Sequence, residues 1–186
     1  MKKFQLMWMV LVLWFCWFLM GCSSETNNDV AVNEELFVYD PVSEYNNKLT
    51  DIVNVCYSWA VSTQEQYNKY REWNSIDKVQ KSVEETLLVC NNSINQINSL
   101  WSWEWDASLR DAAIILLDKV VNKLTLLQDT LPYLERVEDL TPQEVSEHNS
   151  LVDELNSNDL DMQQIVDNME YVQQDFVQRY GLTMVE

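Results

Sequence analysis

Four successive stretches of this 186-residue chain repeat apolar residues every three or four positions. This spacing places the apolar side chains on one face of an α-helix, and no stretch shows the alternation that is typical of a β-strand. Because each helix must bury its apolar face and the connections are short, the sequence predicts an all-α fold, an antiparallel four-helix bundle. The predicted helices begin near Asp40, Asn74, Ser108 and Thr141, and they end near Glu72, Ser99, Leu134 and Tyr180.

Residues with strong local preferences mark several of these helix ends. The segment Thr141–Glu144 combines a capping hydroxyl, a proline at the first helical position and a third-position carboxylate, which predicts the start of the fourth helix. The segment Ser108–Asp111 predicts a similar cap for the third helix. Gly181 is expected to end the fourth helix, and Pro132 is expected to kink or break the last turns of the third.

The first 21 residues have the layout of a secretory signal peptide. Lys2 and Lys3 precede the uncharged apolar run Phe4–Met20, which is followed by Gly21 and Cys22. This end of the run resembles the lipobox of bacterial lipoproteins, which implies cleavage before Cys22 and attachment of a diacyl lipid to its sulfur. An uncleaved membrane anchor is the alternative, because the run is close to the minimum length that spans a bilayer.

The leader divides the chain into three expected parts. They are a signal peptide over residues 1–21, a flexible acidic tether over residues 22–35 and a helical domain over residues 36–186. Without the leader, 10 basic and 30 acidic residues give a net charge of -20, which would repel nucleic acid. We expect two acyl chains to hold the protein on the cell membrane or outer membrane, with its body outside the cytoplasm.

Cys56 and Cys90 are the cysteines that remain after the leader and the anchor. An extracytoplasmic location permits a disulfide between them. The two lie at similar distances before and after the predicted turn at Trp73 and Asn74, so a helical hairpin places them at nearly the same height. The equal alternative is a pair of buried thiols packed in a core, because both residues lie on apolar stripes.

No set of residues in the sequence predicts catalysis, a metal or a cofactor. The single histidine, His148, lacks partners at the spacing of a metal site. The carboxylates of the fourth helix lack the spacing of a calcium loop, so we expect them to form a solvated face. A hydrolase that uses Asp111 and Asp118, which share a helix face, is a minor alternative.

Tryptophan is more frequent than glycine in this chain, with eight residues against two, whereas glycine is normally among the commonest residues. Most of the tryptophans lie where glycine would be ordinary, in the leader, beside a predicted turn or in a short connection. We infer that these positions are glycines encoded by UGA codons and translated here as tryptophan. An aromatic cluster that stacks on a sugar or lipid is the alternative. The positions are Trp8, Trp14, Trp17, Trp59, Trp73, Trp101, Trp103 and Trp105.

With glycine restored, the segments Ser43–Leu49, Asp106–Ala113 and Asp175–Gly181 resemble a family of bacterial helical surface lipoproteins of unknown function. The resemblance implies a helical body from about Asp40 onward and offers no catalytic residues. The sequence therefore favours a non-enzymatic interaction or structural module of the cell envelope, with a protein or cell-wall partner. The alternative is a carrier that holds a small apolar ligand or a lipid within the bundle.

The glycine interpretation predicts the composition of the natural protein. We expect UGA codons in the gene and glycine masses in peptides that cover Trp101 and its neighbours, because UGA is the codon whose meaning separates the two residues. Peptide mass spectrometry and the gene sequence check this expectation. UGG codons at all eight positions would contradict it.

Overall fold

The computed structural model describes residues 41–73, 76–101 and 106–182. Within these ranges the chain forms four helices and no β-strand, which confirms the predicted all-α class. Helix α1 spans Pro41–Trp73, α2 spans Ile76–Ser99, α3 spans Ser108–Glu135 and α4 spans Pro142–Arg179. None of these helices combines the length and the apolar composition that crossing a bilayer requires.

Several predictions fall on parts of the chain outside the described residues. The predicted signal peptide and tether lie there, together with the proposed lipid attachment site Cys22. The same is true of five tryptophans, namely Trp8, Trp14, Trp17, Trp103 and Trp105.

Both ends of α4 have the local structure that the sequence predicts. At its start, Thr141 Oγ1 accepts a hydrogen bond from the Glu144 backbone N–H at 3.3 Å, and Glu144 Oε2 accepts one from the Thr141 N–H at 2.8 Å. At its end, Gly181 has a φ of 67°, a conformation that glycine adopts without strain. The Leu182 N–H then reaches back to the Val177 carbonyl at 2.9 Å and closes the helix.

The start of α3 differs from the prediction. Ala107 is the N-cap, and its side chain makes no capping hydrogen bond. Asp106 Oδ1 instead accepts from the Ser108 backbone N–H at 3.0 Å and from the Ser108 hydroxyl at 2.6 Å. The predicted cap formed by Ser108 with Asp111 is wrong, because Ser108 is already the first helical residue.

Two further expectations about helix ends are corrected. Helix α3 continues through Pro132 to Glu135, so the expected break does not occur, because a proline so close to the end removes a single intrahelical hydrogen bond. Val145 is the first of the regularly spaced apolar residues of α4, a spacing that predicts a buried side chain, but it is 42% exposed. Glu144 and Glu147 contact the end of α3 instead, so Val145 between them points away from it.

The helices pack in sequence order, α1 on α2, α2 on α3 and α3 on α4, and α1 also contacts α3. Cys56 is joined to Cys90 by a disulfide, and Thr63 contacts Ser82 and Thr86, so residue numbers fall along α2 as they rise along α1. The ion pairs Lys119–Asp161 and Lys123–Asp159 show the same order between α3 and α4. Helices α1 and α4 meet through side chains such as Tyr45 and Phe176, whose ring centroids are 6.0 Å apart.

The main core is formed by apolar side chains from all four helices. Helix α3 contributes a continuous stripe to it, and Phe176 of α4 is completely buried within it. A smaller cluster fills the space between α2 and α3 near the end where α2 begins. Its buried members are Val79, Val83, Leu127 and Leu131.

The disulfide predicts a stability that depends on reducing conditions. Removing it with Cys56→Ala and Cys90→Ala together should lower the free energy of unfolding by about 3 to 4 kcal/mol, because the unfolded chain loses a closed loop of about 35 residues. Chemical denaturation with and without a reductant measures the effect. The double variant is its own control, since its stability should not change with the reductant. An unchanged stability of the natural sequence under reduction would contradict the prediction.

Candidate functional site

A groove of about 730 Å³ opens where α2 begins, α3 ends and α4 begins. Its apolar lining residues Ile76, Leu131 and Leu151 are called its floor, and Leu131 also belongs to the smaller core cluster. Its rim carries four carboxylates and one guanidinium, so its local charge is negative. The lining residues are Ile76, Gln80, Gln128, Asp129, Leu131, Pro132, Tyr133, Glu135, Arg136, Glu144, Glu147 and Leu151.

The groove lies at the far end of the structure from residue 41, where the preceding chain enters. Helix α1 starts at Pro41 and runs 33 residues to Trp73, next to the start of α2. At 1.5 Å per residue, this length separates the groove from the entering chain by about 50 Å.

Two of the groove carboxylates are held by neighbouring side chains. Glu144 accepts hydrogen bonds from the Thr141 backbone and hydroxyl, both at 2.8 Å, and from Arg136 Nη2 at 2.9 Å. These bonds stabilise the ionised form and lower the pKa of Glu144 from 4.5 to about 2. Glu147 accepts a hydrogen bond from the Tyr133 hydroxyl at 3.1 Å, and this bond raises the pKa of Tyr133.

A second, internal feature is a buried ion pair. Lys123 Nζ lies 2.5 Å from Asp159 Oδ1, and the two side chains are 11% and 21% exposed. Burial lowers the pKa of Lys123, and the charge of Asp159 opposes that shift. The pair borders a cavity of about 40 Å³ between α1, α3 and α4, which otherwise has a mostly apolar lining. A cavity of this volume suits water rather than a small organic molecule.

The opposite end of the structure is closed by an ionic cluster around Arg179. Its guanidinium contacts Asp106 Oδ2 at 2.6 Å, Asp175 Oδ2 at 2.8 Å and the Ser108 hydroxyl at 3.2 Å. Burial alone would raise the pKa of Asp106, but the hydrogen bonds from Ser108 and the charge of Arg179 outweigh it and lower that pKa. These contacts fasten the connection before α3 to the end of α4.

The residues considered for chemistry in the sequence do not come together. His148 packs against Tyr133, with ring centroids 5.7 Å apart, near the groove but not in it. Asp111 pairs with Arg110, and neither Asp111 nor Asp118 lines the groove or the cavity. Across the described ranges, no three His, Cys, Asp or Glu side chains are placed to hold a metal ion.

The tryptophan side chains that the structure describes are exposed. Trp59 is 42% exposed on α1, and Trp101 is 91% exposed at the end of the segment after α2. Neither ring belongs to the core, which is consistent with glycine at these positions. The glycine interpretation remains a prediction.

The buried polar residues were not predicted from the sequence. Lys123 follows Val120 by three positions and precedes Leu127 by four, so it occupies the apolar stripe of α3, and Asp159 belonged to the expected solvated face. Asn158 is 3% exposed, and neither its amide oxygen nor its nitrogen has a hydrogen-bond partner among the residues that the structure describes. Helical spacing alone predicts such buried polar residues, because it places a polar side chain on the apolar face of the helix.

Comparison with family models, with curated proteins and with solved structures finds no match to this chain. The resemblance to helical surface lipoproteins remains a prediction from the sequence.

The pKa of Glu144 predicts how α4 responds to acid. Its pKa in the folded protein, about 2, lies below its ordinary value of 4.5, so ionised Glu144 contributes stability above about pH 4.5. That contribution should be lost as the pH falls from 4.5 through 2. The stability difference between the natural sequence and Glu144→Gln should therefore narrow over this range. Urea denaturation at several pH values measures it, with Glu154→Gln, an exposed carboxylate of the same helix, as the control. A difference that is constant with pH would contradict the prediction.

Proposed function

We propose that the protein is a membrane-anchored, extracytoplasmic lipoprotein whose helical body binds a partner in the cell envelope without catalysing a reaction. The observation that carries this proposal is the position of the large groove, about 50 Å along α1 from the entering chain. A lipid on Cys22 would hold the residue-41 end near the membrane. The groove would then face away from the lipid surface, toward other envelope molecules.

The directions in which neighbouring helices run support an antiparallel bundle as the body of this protein. Residue numbers run in opposite directions along α1 and α2, and again along α3 and α4. Short connections between packed helices produce this arrangement. In such a bundle the connection between α3 and α4 lies at the same end as the start of α2, where the groove is.

The chemistry of the described residues supports binding rather than catalysis. In the groove, Glu144 and Glu147 hold the helix ends together through Thr141, Arg136 and Tyr133. These bonds occupy both carboxylates, so neither is arranged as a general acid or base. The groove opens to solvent between three helix ends, so side chains of a macromolecular partner can reach it.

The alternative of an apolar-ligand carrier has less support from the interior. The internal cavity has about 40 Å³, whereas ligand sites in proteins usually measure roughly 300 to 1,000 Å³. A lipid chain would need α1 and α4 to separate further. It would also have to displace the side chains that surround the Lys123–Asp159 pair.

Photocrosslinking in native membranes tests the interaction function. A crosslinking amino acid at Gln128, in the groove, should yield a discrete adduct, whereas one at the exposed Asn95, toward the other end of α2, should not. Equal adducts at both positions, or none at Gln128, would argue against the proposal. Mass spectrometry of the protein extracted from membranes tests the anchor, because it should find a chain that begins at an acylated Cys22 if the lipid holds the protein there, and an intact leader if the leader is an uncleaved span.

A further inference from the structure

The four carboxylates of the groove fall into two classes. Glu144 and Glu147 are engaged with neighbouring residues of the protein. Asp129 and Glu135 are exposed on α3 and form no hydrogen bond or ion pair within the described ranges. Arg136 is the groove's cationic residue, and its Nη2 is directed at Glu144 Oε1 at 2.9 Å. Three of the four carboxylates therefore have no cation beside them in the groove, and two of these, Asp129 and Glu135, also accept no hydrogen bond within the described ranges.

The end of α3 adds further negative potential to the same place. The carbonyl groups at a helix C-terminus carry a partial negative charge, and the last turn of α3 contains no basic residue. Pro132 has no N–H, so the carbonyl of Gln128 lacks the donor that position 132 would otherwise provide. Gln128 and Pro132 both line the groove. An exposed C-terminal turn with an unsatisfied carbonyl attracts hydrogen-bond donors that carry positive charge.

The floor of the groove determines what kind of cation fits. Ile76, Leu131 and Leu151 supply apolar surface, and Tyr133 supplies an aromatic ring beside it. A bare metal ion gains nothing from such a floor, and the described residues contain no cluster suited to one. A chain that carries both cationic and apolar side chains matches the carboxylates and the floor together.

We propose that the groove binds an extended segment of a protein partner in which lysine or arginine alternates with apolar residues. The ammonium or guanidinium groups pair with Asp129 and Glu135 and with the carbonyl end of α3. The apolar side chains pack on Ile76, Leu131 and Leu151. This inference rests on the proposed interaction function and specifies the chemistry of the partner.

Binding of defined peptides to the full-length protein in detergent micelles tests this assignment. The first probe is a labelled eight-residue peptide of alternating lysine and leucine, and the second has glutamate in place of each lysine. We expect the lysine peptide to bind and the glutamate peptide not to bind. Binding of the lysine peptide should weaken as salt is added, because the charges on the rim are exposed to solvent.

Paired variants separate the groove from the general negative charge of the protein. Asp129→Asn with Glu135→Gln should weaken the lysine peptide about fivefold, as expected for the loss of two exposed ion pairs. Asp51→Asn with Asp118→Asn removes the same charge from exposed carboxylates elsewhere and should leave the affinity nearly unchanged. Leu151→Asn, on the floor, should weaken binding without changing its salt dependence, and circular dichroism confirms that each variant is folded.

Three outcomes would overturn the assignment: equal weakening by both charge pairs, no weakening by the groove pair, or binding of the glutamate peptide. A photocrosslinked partner at Gln128 whose contact segment is acidic or is a polysaccharide would also overturn it, while leaving the interaction function intact. Absence of any partner at Gln128 would instead count against the interaction function itself.

Discussion

Burial of α3 is the interaction on which the other helices depend. Its apolar stripe contacts α1, α2 and α4, and its side chains contribute to both core clusters. Leu109, Ala113, Leu116 and Leu117 are completely buried. Each of these side chains contributes about 1 to 3 kcal/mol when it is removed from water, the smaller amount for alanine. Helices α1 and α4 lie closer to α3 than to each other, so the central helix holds them in place.

Polar groups inside this apolar framework restrict which helix surfaces can meet. Thr63 lies 2.7 Å from the hydroxyls of both Ser82 and Thr86, so sliding α1 along α2 would leave buried hydroxyls without partners. The Lys123–Asp159 pair has the same effect between α3 and α4, since either charge alone would be costly to bury. These contacts add little net stability compared with apolar packing, but they disfavour other registers.

The two ends of the structure differ in how their charges are used. At the end near residue 41, Arg179 is surrounded by Asp106 and Asp175, and these charges stabilise the chain itself. At the other end, Asp129 and Glu135 remain without a partner in the described residues, beside an apolar floor. The binding site that we propose lies at this second end, where uncompensated negative charge and apolar side chains occur together.

The sequence by itself determined the helices and several of their ends. Apolar spacing predicts all four, and the Thr141–Glu144 segment and Gly181 act as predicted because capping depends on residues close together in the chain. The groove and the buried ion pair were decided by tertiary structure. Asp129, Glu135 and Ile76 share a groove only after α2, α3 and α4 have packed, and Lys123 becomes buried only when α4 brings Asp159 to it. Helical spacing gives the face on which a side chain lies, whereas the neighbours of that face depend on the lengths and packing of all the helices.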